Sequence, residues 1–303
     1  MIILKGASPK LPGPNVLAIG KFECIHRGHR ALLGEVVRLA QSNPLLASAM
    51  LVFEPHPARV LFDPGYKPLF TGPEREFLAG RLGLDYLLEY PFDRAFAAMS
   101  PAYFCRLLFE EMQVRILVVG EGYRFGHNRE GTVATLEQAA RERNAKIHIV
   151  SPAAHGLAPA KISTSTIRAL LAANQLPEAE SLLGYPFFVQ GTVTPGRQLG
   201  RTIGFPTLNL YPPEGKFLPG NGVYATRTIL EGQSYKSITN IGTRPTVAES
   251  SQISVETHLI GYTGGELYGK EVHVDFLRFI RPERKFESLE ALKAQIMEDL
   301  GHG

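Results

Sequence analysis

Apolar residues are arranged along this chain in two ways, and the change falls near residue 184. Before it, short apolar runs alternate with longer amphipathic ones: NVLAIG at 15–20, LASAMLVF at 46–53, LDYLLEY at 84–90, VRILVVG at 114–120 and AKIHIV at 145–150. Runs this continuous predict strands buried on both faces of a parallel sheet. Between them HRALLGEVVRLAQ at 29–41, PAYFCRLLFEEM at 101–112 and TLEQAARERN at 135–144 carry apolar residues at helical spacing, with Ser100 as an N-cap. This βαβ alternation predicts a doubly wound, Rossmann-like α/β fold.

Beyond Gly184 the runs become β-branched and are separated by Gly/Pro turns: FFVQGTVT at 187–194, GVYATRTIL at 222–230, YKSITNIG at 235–242, QISVETHLI at 252–260 and EVHVDFLRFI at 271–280. They predict an antiparallel sheet or small β-barrel. A C-terminal helix is expected at 288–300, opened by Ser288 with Glu290 in its first turn. A length of 303 residues suits two domains, and the change of pattern divides them as 1–183 and 184–303.

Composition adds mostly exclusions. Apolar residues make up 44% and charged residues 20% of the chain, as in a folded protein. A net charge of +3, with no polybasic tract, argues against a nucleic acid or membrane partner, though a basic pocket for phosphates fits. Cys24 and Cys105 are far apart and lack CxxC spacing, so a reducing cytoplasm is expected. No stretch reaches the ~20 apolar residues of a membrane span, and the N-terminus lacks the core of a signal peptide. Oligomeric state is not legible.

GKFECIHRGH at 20–29 lies where the first strand meets the first helix. A turn of this kind aims free N–H groups and a positive helix end at an anion, Gly20 and Gly28 let the backbone come close, and His26 and His29 can reach one phosphate together. Taken alone, the two histidines would equally serve as surface groups at a helix start. No GxxxxGK[ST] loop occurs, so this is not a Walker-type site. The stretch resembles the GxFDxxHxGH signature of the HxGH nucleotidyltransferases. The resemblance implies transfer of a nucleoside monophosphate, with Gly20, Phe22 and Gly28 against the nucleotide and the imidazoles of His26 and His29 neutralising charge on the phosphates.

KISTSTIR at 161–168 resembles the ISSTxxR motif of the same superfamily. Ser163, Thr164 and Ser165 then supply hydroxyls to the triphosphate and Arg168 a cationic fork for catalysis; without the resemblance they read as a helix cap. FEPHP at 53–57 and VVGEGYRFG at 118–126 resemble loops of bacterial FAD synthetases, which implies flavin contacts at Pro55, His56, Pro57, Arg124 and Phe125. Three positions depart from the pattern: Glu23 in place of the usual Asp, Gly122 in place of Asp or Asn, and Thr166 in place of Arg.

The second domain carries GRQLGRTIGFPTLNL at 196–210, a glycine-rich loop running into a Pro-Thr-x-Asn segment. Gly196, Gly200 and Gly204 let backbone wrap a phosphate, and Arg197 and Arg201 add positive charge. Thr207 and Asn209, two apart on an extended segment, share a side and can offer oxygens to Mg²⁺. The string resembles the riboflavin kinase signature, with Leu208 in place of the usual Ala. SVETHL at 254–259 resembles the family's second signature, which implies that Glu256 is the general base; a strand glutamate taken alone is usually solvent-facing.

The combined resemblance is to the bacterial bifunctional riboflavin kinase/FMN adenylyltransferases. It implies that riboflavin, FMN and ATP are substrates, that Mg²⁺ assists, and that FAD and pyrophosphate are the final products. Alternatives are a riboflavin kinase whose first domain is weak or inactive, a nucleotidyltransferase for another phosphorylated acceptor, and a flavin-binding regulator without catalysis.

Overall fold

The computed structural model describes residues 1–6, 11–151, 162–196, 204–213, 215–245, 251–284 and 286–301. Arg197, Gly200 and Arg201 lie outside them. The chain packs as two compact units, Met1–Ile162 and Ser163–Gly303.

The first unit contains β1 (Ile2–Lys5), β2 (Asn15–Ile19), α1 (Arg27–Gln41), β3 (Ala47–Glu54), α2 (Pro57–Leu61), α3 (Gly72–Gly80), β4 (Tyr86–Pro91), α4 (Arg94–Ala97), α5 (Pro101–Arg106), β5 (Val114–Gly120), α6 (Val133–Arg141) and β6 (Lys146–Val150). All six strands run parallel, in the order β1-β4-β3-β2-β5-β6. From β2 the chain first builds outward through β3 and β4, then crosses to the other flank of β2 with β5. The crevice above β2 and β5 is therefore the topological switch point where ligands bind in such sheets. Every residue of β2 is buried, which explains its unbroken apolar run. A four-residue edge strand, β1, carries too little periodicity to be read from sequence. The short helices α2 to α4 were equally unread, although the Thr71–Glu74 capping box marks the start of α3.

The second unit contains α7 (Thr164–Ala172), α8 (Leu176–Leu183), β7 (Phe187–Thr192), β8 (Leu208–Leu210), β9 (Gly222–Leu230), β10 (Gln233–Pro245), β11 (Ser251–Leu259), β12 (Glu271–Arg281) and α9 (Leu289–Leu300). Its antiparallel sheet has the order β7-β12-β9-β10-β11-β8. The two edges meet where Thr194, just past β7, bridges Asn209 in β8, with Thr194 N–H donating to the Asn209 carbonyl at 2.9 Å. That contact closes the sheet into a small barrel. Inside it, the buried hydroxyls of Thr226, Ser237, Thr239 and Thr257 bond to one another across strands at 2.8–2.9 Å, which satisfies them without water.

The pattern change at 184 and the packing boundary at 162 do not coincide, because α7 and α8 pack with the barrel. Asn174, between these helices, accepts a hydrogen bond from the Tyr224 hydroxyl at 2.9 Å, and α8 lies on β7 and β12. Among the described residues no helix is long and apolar enough to cross a membrane.

Candidate active sites in the two units

His26 caps α1: its Nδ1 accepts the His29 N–H at 3.2 Å. An imidazole that accepts at Nδ1 carries its proton on Nε2 when neutral. The two rings stack at 3.7 Å between centroids and 15°, and Phe22, itself buried, meets His29 edge-on at 5.0 Å. Phe22 thus supports the imidazole from beneath. A Cβ on Gly28 would lie 3.3 Å from the His26 ring, so a larger residue there would crowd the pair. Burial lowers the pKa of His26 to about 4, and burial together with the neighbouring His26 takes that of His29 well below its ordinary value. His29 Nδ1 is buried and has no hydrogen-bond partner among the described residues. The turn therefore holds two neutral imidazoles at a positive helix end, a site prepared for an anion.

Along the same carboxyl edge of the sheet lies a cavity of about 620 Å³. Phe53 at the end of β3, Phe92 after β4, Phe96 in α4, Phe104 in α5, and Tyr123 and Phe125 beyond β5 give it aromatic walls. These rings pack in tilted, edge-on and, for Tyr123 on Phe125, stacked pairs 5.2–6.2 Å apart. Arg94, Arg124 and Arg129 add positive charge, and Leu61 and Phe62 form a rim, Phe62 being 80% exposed. Such a cavity suits a planar aromatic ligand that bears a negative group.

Arg124 and Phe125 lie in this cavity as expected, whereas Pro55, His56 and Pro57 do not line it. The His56 ring instead caps α2, its Nδ1 accepting the Ala58 N–H at 3.2 Å. Sequence reasoning missed Phe53, Phe92 and Phe96. Their common signal is an aromatic residue at or just past the carboxyl end of a strand.

Ser163 to Arg168 belong to the second unit. Ser163 caps α7, accepting the Thr166 N–H at 3.2 Å and sharing a 2.9 Å hydroxyl contact with Thr166. The departure at 166 thus serves the helix start. Thr164 and Ser165 occupy the first turn, and the Arg168 guanidinium lies 4.8 Å from the centroid of Phe217.

On the barrel, Glu256 in β11 stands directly opposite Asn209 in β8 and Asn240 in β10. Directly opposed residues share a face. Val255, Thr257 and Leu259 point into the barrel, so the Asn209–Glu256–Asn240 row is on the outer face. Thr207, two residues before Asn209 on an extended segment, is on the same face, and His258 fixes that segment by bonding the Pro206 carbonyl at 2.9 Å. Ser254 donates to Glu256 Oε1 at 3.4 Å, and Asn240 Nδ2 donates to Glu283 at 2.9 Å.

Asn209 Oδ1 is buried without a hydrogen-bond partner among the described residues. A Cβ on Gly196 would fall 2.3 Å from the Asn209 amide, so glycine is required where this residue packs on it. Gly204 has φ +86°, a left-handed turn into the Pro-Thr segment. An orphaned oxygen beside a threonine hydroxyl and a carboxylate is a fitting donor set for a hard cation.

Two cavities flank Thr207. One, about 280 Å³, is lined by Thr207, Asn240 and Glu256 and by Phe286 and Asp299 of the C-terminal segment. The other, about 430 Å³, runs from Thr207 and Leu208 to Tyr262 and Tyr268. Asp299 holds the first in shape by pairing with Arg281 at 2.8 Å.

Comparison with known proteins finds both halves. A family model described as FAD synthetase matches residues 8–166 and one described as riboflavin kinase matches residues 183–302. A protein of Escherichia coli strain K12 named bifunctional riboflavin kinase/FMN adenylyltransferase is 41% identical over 288 residues, 94% of this chain and 90% of its own. A protein of the same name from Listeria monocytogenes is 32% identical over 286 residues with the same coverage. The crystal structure of a Streptococcus pneumoniae chain titled macrolide-efflux protein superposes with a TM-score of 0.86 at 27% identity, covering 99% of this chain and 98% of that one.

Proposed function

The chain belongs to the family of bifunctional riboflavin kinases/FMN adenylyltransferases, and from that membership and the two sites we propose that it makes FMN from riboflavin and FAD from FMN. The functional domains are 1–183 for adenylylation and 184–303 for phosphorylation. ATP is the co-substrate of both steps, and the reactions are assigned to the cytoplasm, in keeping with two buried cysteines that form no disulfide.

The observation that carries the kinase reading is the cross-strand pair Asn209–Glu256, with Thr207 as the common wall of two cavities. Glu256 lines the smaller cavity only, so the acceptor enters there and ATP takes the larger. Glu256 accepts the proton of the ribityl hydroxyl as that oxygen attacks the γ-phosphorus, and ADP leaves. Thr207 and Asn209 Oδ1 would hold Mg²⁺, which supplies charge neutralisation at the phosphates. Gly196, Arg197, Gly200, Arg201 and Gly204 are assigned to the phosphate loop.

In the first unit the aromatic cavity receives the isoalloxazine ring, with Arg124 and Phe125 in its wall and Pro55, His56 and Pro57 framing the adjoining turn. A phosphate oxygen of FMN attacks the α-phosphorus of a second ATP, and pyrophosphate leaves. His26 and His29, backed by Phe22 and approached closely at Gly20 and Gly28, stabilise the charge that builds on the phosphates. Ser163, Thr164, Ser165 and Arg168 are assigned to the triphosphate on the motif they form. No observation favours a kinase with an inert first domain.

Incubation with riboflavin, ATP and Mg²⁺, followed by chromatography scored separately for FMN and FAD, tests both activities. FMN that accumulates without FAD would remove the adenylyltransferase half, and absence of FMN would remove the kinase half.

A further inference from the structure

Glu23 lies between β2 and His26 and is only 3% exposed, yet its carboxylate is held by segments far away in sequence. Oε1 accepts the Leu69 N–H at 2.8 Å, and Oε2 accepts the Tyr66 hydroxyl at 2.6 Å. His56 Nε2 lies 3.4 Å from the same Oε2. His56 Nδ1 accepts the Ala58 N–H, which orients the ring with its Nε2 edge toward the carboxylate. Tyr66 stacks on the His56 ring at 4.8 Å and 10°, and its carbonyl accepts from Arg59 Nε at 2.8 Å.

Burying a carboxylate is costly unless donors satisfy it; the Tyr66 hydroxyl and the Leu69 N–H donate here, and the His56 ring lies 3.4 Å away. Both donors belong to the 66–69 loop, and His56 belongs to the turn at the start of α2. That helix ends at Leu61, which together with Phe62 walls the aromatic cavity. One carboxylate therefore fastens the histidine turn to the segment that bounds the cavity.

We infer that Glu23 is a positioning residue for adenylyl transfer: it fixes the spacing between the cavity for the acceptor ring and the two imidazoles beside the reacting phosphates. The inference rests on the adenylyltransferase reading. Glu23 acts through His56, Tyr66 and Leu69 and touches neither substrate.

Glu23→Gln keeps the volume but turns an amide NH₂ toward groups that are themselves donors. Tyr66→Phe keeps the stack on His56 and removes one donor. Displacement of reacting groups by about an ångström costs on the order of 100-fold in rate, so Glu23→Gln should lower kcat for FAD formation by about 10- to 100-fold. The FMN dissociation constant, read from flavin fluorescence, should stay within about threefold, and riboflavin phosphorylation should be unchanged. Tyr66→Phe should show a smaller loss, and adding it to Glu23→Gln should cost little more, since both cut the same contact. Should Glu23→Gln fail to fold, the kcat of Tyr66→Phe decides alone.

Wild-type kcat in the folded variants overturns the proposal, as does a parallel loss of kcat and FMN affinity. A wild-type enzyme that makes no FAD from FMN and ATP refutes the adenylyltransferase reading, and this proposal with it. A wild type that makes FAD, with variants equal to it, refutes this proposal alone.

Discussion

Stacked imidazoles 3.7 Å apart make the first unit acid-sensitive. Two full charges at that separation repel by roughly 4–5 kcal/mol at an effective dielectric of ~20, and burial opposes even the first. The His26 pKa of about 4 in the folded chain, against 6.5 for the free side chain, means that the unfolded state takes up the proton first as pH falls. Stability is then complete above pH 6.5 and is lost progressively on acidification toward pH 4. A difference of ~2.5 units at 1.36 kcal/mol each amounts to about 3 kcal/mol by pH 4. His26→Asn keeps an N-cap acceptor for α1 and removes the titrating group. The assay is amide hydrogen exchange of peptides spanning β2, corrected for intrinsic rates, at pH 7 and pH 4 in wild type and variant. Protection in the wild type should fall by about 3 kcal/mol more than in His26→Asn. Equal pH dependence in the two proteins would refute the reasoning.

Glu256→Gln should lower riboflavin phosphorylation by at least about 100-fold, the weight of a general base, while leaving adenylylation of supplied FMN intact; separate rate assays check it. Gly196→Ala should lower the kinase kcat/KM by about tenfold or more, because its methyl meets the Asn209 amide at 2.3 Å. Gly191→Ala, whose methyl meets nothing closer than Leu210 at 3.8 Å, should leave that rate unchanged. Phe62→Ala should raise the FMN KM about fivefold through loss of a stacking contact worth ~1 kcal/mol, and Phe62→Trp should restore it.

Residues that act locally were legible in the sequence. The five strands read from the apolar runs of the first unit and the helix start at Ser100 appear where indicated, although β6, at the sheet edge, is largely not buried and departs from the expectation of burial on both faces. The stacking of His26 on His29 follows from three-residue spacing across a helix start. The aromatic cavity was illegible for the opposite reason: β3, the segment after β4 and the segment after β5 each supply a ring or two, and only the strand order β4-β3-β2-β5 brings them to one edge.

The same distinction bears on Glu256 and Glu23. Glu256 and Asn209 are joined by antiparallel register alone; a shift of one residue in β8 would turn Asn209 to the opposite face and separate the pair. The barrel closes at Thr194–Asn209, and Gly196, next to that closure, leaves room for the Asn209 amide without supplying a side chain. Glu23 reads in sequence as a longer substitute for an aspartate near phosphates. Its carboxylate in the structure reaches the donors of Tyr66 and Leu69, which lie on a loop more than forty residues downstream. In both units residues remote along the chain are brought together, by antiparallel pairing in the barrel and by a buried carboxylate beside the histidine turn.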